Sequence, residues 1–109
     1  MAEKLKVLAQ VDPVAITLTN AYTVPAGTST VVSSIMVCNR SAVATSFRIS
    51  IAVAGAADNN IQYLYYDLAI TGNNSFSAIL GITLAATDVI RVYATLATLS
   101  FNIFGAEIT

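Results

Sequence analysis

Large apolar and small or polar residues alternate along this chain with a period close to two, and turn chemistry interrupts the alternation about every ten residues. The clearest run sets Phe47, Ile49, Ile51 and Val53 against Arg48, Ser50 and Ala52. Successive side chains of a strand point to opposite faces, so this run predicts a half-buried strand with one apolar face. Leu99, Phe101 and Ile103 against Ser100 and Asn102, and Ile90 and Val92 against Arg91, predict two more. Tyr63 and Tyr65 oppose Leu64, Tyr66 and Leu68, a segment large and apolar on both faces, where two-sided burial is expected. Lys4–Ala9, Ala15–Leu18, Thr30–Cys38 and Phe76–Leu84 are less regular but rich in β-branched residues, which favour strands.

Val24-Pro25-Ala26-Gly27, Ala57-Asp58-Asn59-Asn60, Thr71-Gly72-Asn73-Asn74 and Ala86-Thr87-Asp88 supply the turns. No segment carries a convincing period of 3.6. Asp12-Pro13 sets the opening segment apart, because proline removes a ladder donor and biases its predecessor toward extended geometry. Residues 1–12 therefore read as an N-terminal strand or arm and residues 13–109 as the domain proper. About eight short strands without helices predict an all-β fold, a single antiparallel β-sandwich of jelly-roll type, with an immunoglobulin-like sandwich as the alternative. Against that alternative, the chain has no tryptophan and no pair of cysteines to join the sheets.

Composition then changes the picture. Of 109 residues, 56% are hydrophobic and 10% charged, whereas an average domain has about 45–50% apolar and about 25% charged residues. No stretch is long enough to cross a bilayer as a helix. The longest nearly apolar one, Ala78–Ala86, is about half the roughly 20 residues required and is broken by Gly81 and Thr83. Other protein chains are thus expected to cover what a single core cannot. A net charge of −1 does little to oppose such association. The five basic residues are dispersed and form no stripe for phosphates, so nucleic acid is not an expected partner, nor is a membrane. No secretion signal is read at the N-terminus.

Candidate chemistry is sparse. Histidine is absent, which removes the usual general base and the commonest metal ligand, and the carboxylates are scattered over turns and termini. No enzyme activity, cofactor or metal site is expected. Asp58-Asn59-Asn60 resembles part of a calcium loop but lacks the later bidentate glutamate. Asp58 and Asp88 are expected to cap turn amides, and Cys38 to be a small buried hydrophobe. Tyr63, Tyr65 and Tyr66 form the one cluster suited to binding, whether as core, subunit interface or sugar platform. Phe104, opposite Phe101, is a second interface candidate. Leu5 and Val7, the apolar positions of the arm, complete the expected interface set of Tyr63, Tyr65, Phe104, Leu5 and Val7. The arm itself has the form of a strand that could pair with a neighbour's sheet.

The runs Tyr22–Gly27, Val31–Asn39, Ile82–Ala85 leading to Asp88–Tyr93, and Leu99–Gly105 followed by Glu107-Ile108-Thr109 resemble small virion structural proteins of tailed bacteriophages. The resemblance covers nearly the whole chain and rests on strand pattern and turn residues, with no catalytic motif to carry over. It implies a β-sandwich present in many copies on a particle assembled in the host cytoplasm. The leading expectation is a capsid decoration or cement protein that binds the major capsid protein lattice. A homotrimer is expected by analogy with other jelly-roll assemblies. A tail, neck or baseplate component and a carbohydrate-binding module for host recognition are the alternatives.

Overall fold

The computed structural model describes residues 2–109, and Met1 of the expected arm lies outside them. Eight strands follow one another: β1 (Glu3–Val11), β2 (Thr19–Thr23), β3 (Ser29–Asn39), β4 (Thr45–Ala52), β5 (Tyr63–Ile70), β6 (Ser75–Leu84), β7 (Val89–Ala94) and β8 (Leu99–Ile108). They form two antiparallel sheets with orders β1-β8-β3-β6 and β2-β7-β4-β5. The pairs β1·β8, β2·β7, β3·β6 and β4·β5 describe one long hairpin folded over on itself, with its tip at residues 53–62. That is jelly-roll connectivity. An immunoglobulin-like sandwich groups its strands differently.

The expected turns at residues 24–27, 57–60, 71–74 and 86–88 all separate strands, and helix is confined to single 3-10 turns at Val53–Gly55 and Asn60–Gln62. Two expected strand limits are corrected. Ala15–Leu18 is not a strand, because Ile16 takes a left-handed φ of 56° and donates its N–H to the Ala94 carbonyl. Strand β2 begins only at Thr19. Val53 does not extend the apolar face of β4: the strand ends at Ala52 and Val53 stands exposed in the following turn.

One apolar layer lies between the sheets. Val32, Ile35, Val37, Phe101 and Ile103 from the first sheet meet Phe47, Ile49, Ile90 and Val92 from the second, all fully buried. Phe47 is the hub, with ring centroids 6.0 Å from Phe101 and 5.5 Å from Phe76. Each such side chain contributes about 1.5–3 kcal/mol on burial. Gly105 faces inward where the chains close up, and a Cβ there would lie 2.1 Å from the Val31 carbonyl oxygen. Asp88 caps the far end, accepting from the amides of Ala54 and Ala85, each at 2.9 Å.

Strand β1 is not a separate arm. It pairs with β8 from Glu3↔Ile108 to Val11↔Phe101 and forms the edge of the first sheet. Its attachment is reinforced across the sandwich. The Tyr22 hydroxyl, on β2, donates to Glu107 Oε2 of β8 at 2.5 Å and lies 2.9 Å from the Thr30 hydroxyl, while Lys6 Nζ of β1 reaches Glu107 Oε1 at 3.1 Å. The hydrogen bond from Tyr22, then that from Lys6, holds the Glu107 carboxyl below its ordinary value. Burial, then Glu107, pushes the Tyr22 phenol up to about 12.

The pH dependence follows from these directions. Because the native Glu107 carboxyl resists protonation, its contribution to stability is complete above pH 4.5 and is lost as the pH falls through the lowered native value. The phenol acts oppositely: its contribution is present below pH 10 and is lost as the pH rises toward 12. In urea unfolding, Tyr22→Phe is expected to cost about 1.5 kcal/mol at pH 7 and to flatten the loss of stability on acidification. An acid limb identical to wild type would remove the network from this role. Gly105→Ala is expected to cost at least about 2 kcal/mol through backbone displacement, read as a lowered urea midpoint.

Candidate functional site

Antiparallel register sorts the first sheet into alternating inward and outward rows. The outward rows run Leu5–Ala106–Val31–Thr83, then Val7–Phe104–Ser34–Ile79, then Gln10–Asn102–Met36–Ser77, then Ser100–Cys38–Ser75. Charge on this face is confined to its ends: Glu3 at the start of β1, and Asp12 just past its end, ion-paired to Arg40 at 3.2 Å. Leu5 is 82% exposed and Ile79 86%. A shallow cavity of about 450 Å³ opens between Leu5, Val31, Phe104 and Ala106, with Glu3 and Lys6 at its rim. Three of the expected interface residues, Leu5, Val7 and Phe104, thus come together, with Val7 and Phe104 as direct cross-strand partners. Cys38 also lies on this face and is exposed, which corrects its expected burial. It pairs with Ser75 and Ser100, and these rows place it on the side away from the core.

The tyrosine strand behaves differently from its pattern. Register shifts flanking Ile49 on β4 insert extra residues into β5. Tyr65 therefore turns inward against Phe76, with centroids 5.3 Å apart, and Phe47, at 6.4 Å. Tyr63 turns outward, opposite Ser50, and meets Tyr66 edge-on at 5.0 Å. Tyr63 and Tyr65 do not share a face, so the expected grouping is replaced by Tyr63 with Tyr66. The Tyr63 hydroxyl donates to Asp58 Oδ1 at 2.9 Å, and burial followed by this bond raises the phenol's pKa. Asn59 turns its side chain back to accept from the Ile61 amide. Among the described residues, no three metal-ligating side chains cluster.

The same bulge builds a site absent from the sequence reading. The Arg48 guanidinium, central in β4, lies 4.1 Å from the Tyr66 ring centroid and 4.4 Å from that of Tyr93. It donates to both carboxylate oxygens of Asp67, at 2.6 and 3.3 Å. The fork-on-carboxylate geometry is the strong form of this pair, and it raises the Arg48 pKa. Asp67 adopts a φ of 52° within the bulge. Arg91, in the next outward row, is tied to Asn20 Oδ1 and the Gly55 carbonyl. The only sequence signal for this cluster was a charged residue in the middle of an otherwise apolar strand.

The two outer faces therefore differ in kind. One is uncharged across its middle rows and apolar around Leu5, Val7, Phe104 and Ile79; the other carries arginine, tyrosine and aspartate already satisfied by one another. No protein-family model matches this chain, and no curated protein matches it.

Half-exposed ion pairs contribute little alone, but two aromatic faces add to this one. Arg48→Ala is expected to cost about 1–2 kcal/mol in urea unfolding. Arg48→Lys should recover less than half of that, because an ammonium cannot form the planar fork. Full recovery by lysine would mean that charge alone matters at this position.

Proposed function

We propose that the chain is a virion structural protein, a capsid decoration protein that attaches to the major capsid protein lattice and stabilises the head. The observation that carries this reading is the outer face of the first sheet, where Leu5, Val7, Phe104, Val31 and Ile79 are set in adjacent rows without a charge among them. Contiguous apolar surface of this kind marks interaction sites, and permanent interfaces are more apolar than ordinary surface. The likeness of its strand pattern to small virion proteins of tailed phages supplies the setting. A protein that binds the assembled shell and not the dissociated subunits stabilises the shell by mass action.

Two measurements test this. Purified protein should bind capsid shells, and Val7→Asp should weaken that binding at least 30-fold, about 2 kcal/mol for a charge left unpaired in an interface. The variant should keep the wild-type circular dichroism. Shells stripped of the protein should disrupt at lower temperature than decorated ones. Equal heat tolerance, or shell binding indifferent to Val7→Asp, overturns the reading. A location of its density on neck or tail would reassign the same face to that machinery.

The Tyr63–Tyr66 corner favours one further reading, a sugar-binding module in host recognition. Aromatic faces beside Asn60 suit the apolar faces and hydroxyls of a sugar. Binding on a glycan array that disappears in both Tyr63→Ala and Tyr66→Ala would support it, and an array without hits would end it.

A further inference from the structure

Four strands form the edges of this sandwich: β1 and β6 in one sheet, β2 and β5 in the other. An edge offers unpaired backbone N–H and C=O groups to any approaching strand, and proteins blunt such edges with charge, proline, bulges or shortness. Three edges here are blunted. β1 carries Glu3, Lys4 and Lys6. β2 has only five residues and a register shift between Asn20 and Tyr22. β5 holds Asp67 with its left-handed φ, beside two register shifts.

β6 has neither charge nor proline in its ten residues, Ser75–Leu84. Its one irregularity, at Leu80-Gly81, leaves Ser75–Ile79 in unbroken register with β3. Midway along stands Ile79, 86% exposed.

We propose that β6 docks against β6 of a second copy, antiparallel across a two-fold axis, so that two four-stranded sheets become one of eight strands. An antiparallel pair of identical strands is self-complementary about such an axis. The outward residues Ser75, Ser77, Ile79 and Thr83 oppose no like charges at any register. Ser77 and Gly81 leave room on the diagonals for the neighbour's Ile79.

Ten residues span about 33 Å and one sheet is about 10 Å deep, so strand-to-strand contact covers about 330 Å² per partner. Main-chain hydrogen bonds of the added strand, more than area, supply the affinity, which places the dimer in the weak class. The pairing also joins the largely apolar outer faces of the two copies into one surface. It holds whether or not that surface meets a virus particle.

Sedimentation of the full chain between about 1 and 100 µM should give a dimer. Ile79→Lys, which sets two ammonium groups face to face, should raise its dissociation constant at least tenfold, as should Ser77→Lys. Val7→Lys, at the opposite edge of the same sheet, should leave it unchanged. Circular dichroism and the urea midpoint report whether each variant folds, and Ser77→Lys decides the matter if Ile79→Lys does not. A monomer or a trimer throughout the range overturns the two-fold pairing. So does a dimer that neither β6 variant weakens, or one that Val7→Lys weakens equally, since contact would then run through another surface.

Discussion

The shared apolar layer between the two sheets is the constraint on which the rest of this molecule depends. Each sheet buries one face there and no more, and strand geometry assigns every second residue to that face. Phe47, Phe101 and Phe76 occupy its centre, and aliphatic side chains from both sheets close around them. All residues of opposite parity must then face outward, whatever their polarity. In a chain with so few charged residues, some of those outward positions are necessarily apolar.

How the outward residues are distributed gives the fold its asymmetry. Arg48, Asp67 and Arg91 fall on the outer side of the second sheet, where aromatic rings and one another satisfy them. On the first sheet, the rows of Leu5, Val31, Val7, Phe104 and Ile79 are mostly apolar, and the rows beyond them hold neutral polar and small residues such as Gln10, Asn102, Ser77 and Ser100. Apart from Glu3, its charged residues, Lys4, Lys6 and Glu107, belong to inward rows at the margin, where Glu107 joins Lys6 to Tyr22 and fastens β1. One face is thereby closed by its own contacts and the other is left open. The proposed assembly role rests on the open face for this physical reason, because removing its apolar rows from water is favourable.

Much of the fold was legible in the chain because strand alternation and turn chemistry are local signals. Seven of the eight strands lie where β-branched residues and period-two runs place them, and all four turns fall at proline, glycine, asparagine or aspartate clusters. The failures were local as well. Ile16 and Val53 are β-branched residues found outside strands, because backbone contacts to Ala94 in one case and the end of pairing with β5 in the other override their propensity. Cys38 was expected inside from its residue type, and its parity on β3 put it outside.

By itself the sequence determined the all-β class, the sandwich layering, the inward identity of residues such as Phe47, Ile49, Phe101 and Ile103, and the excess of apolar surface. These follow from composition and from a period that each strand carries alone. Only the tertiary structure decided that Leu5, Val7 and Phe104 share a face, that Tyr63 and Tyr65 do not, and that Arg48 is held by residues 19 and 45 positions away. Those outcomes depend on register and bulges. A one-residue slip reverses every side chain beyond it, and that slip is set by which strands become neighbours.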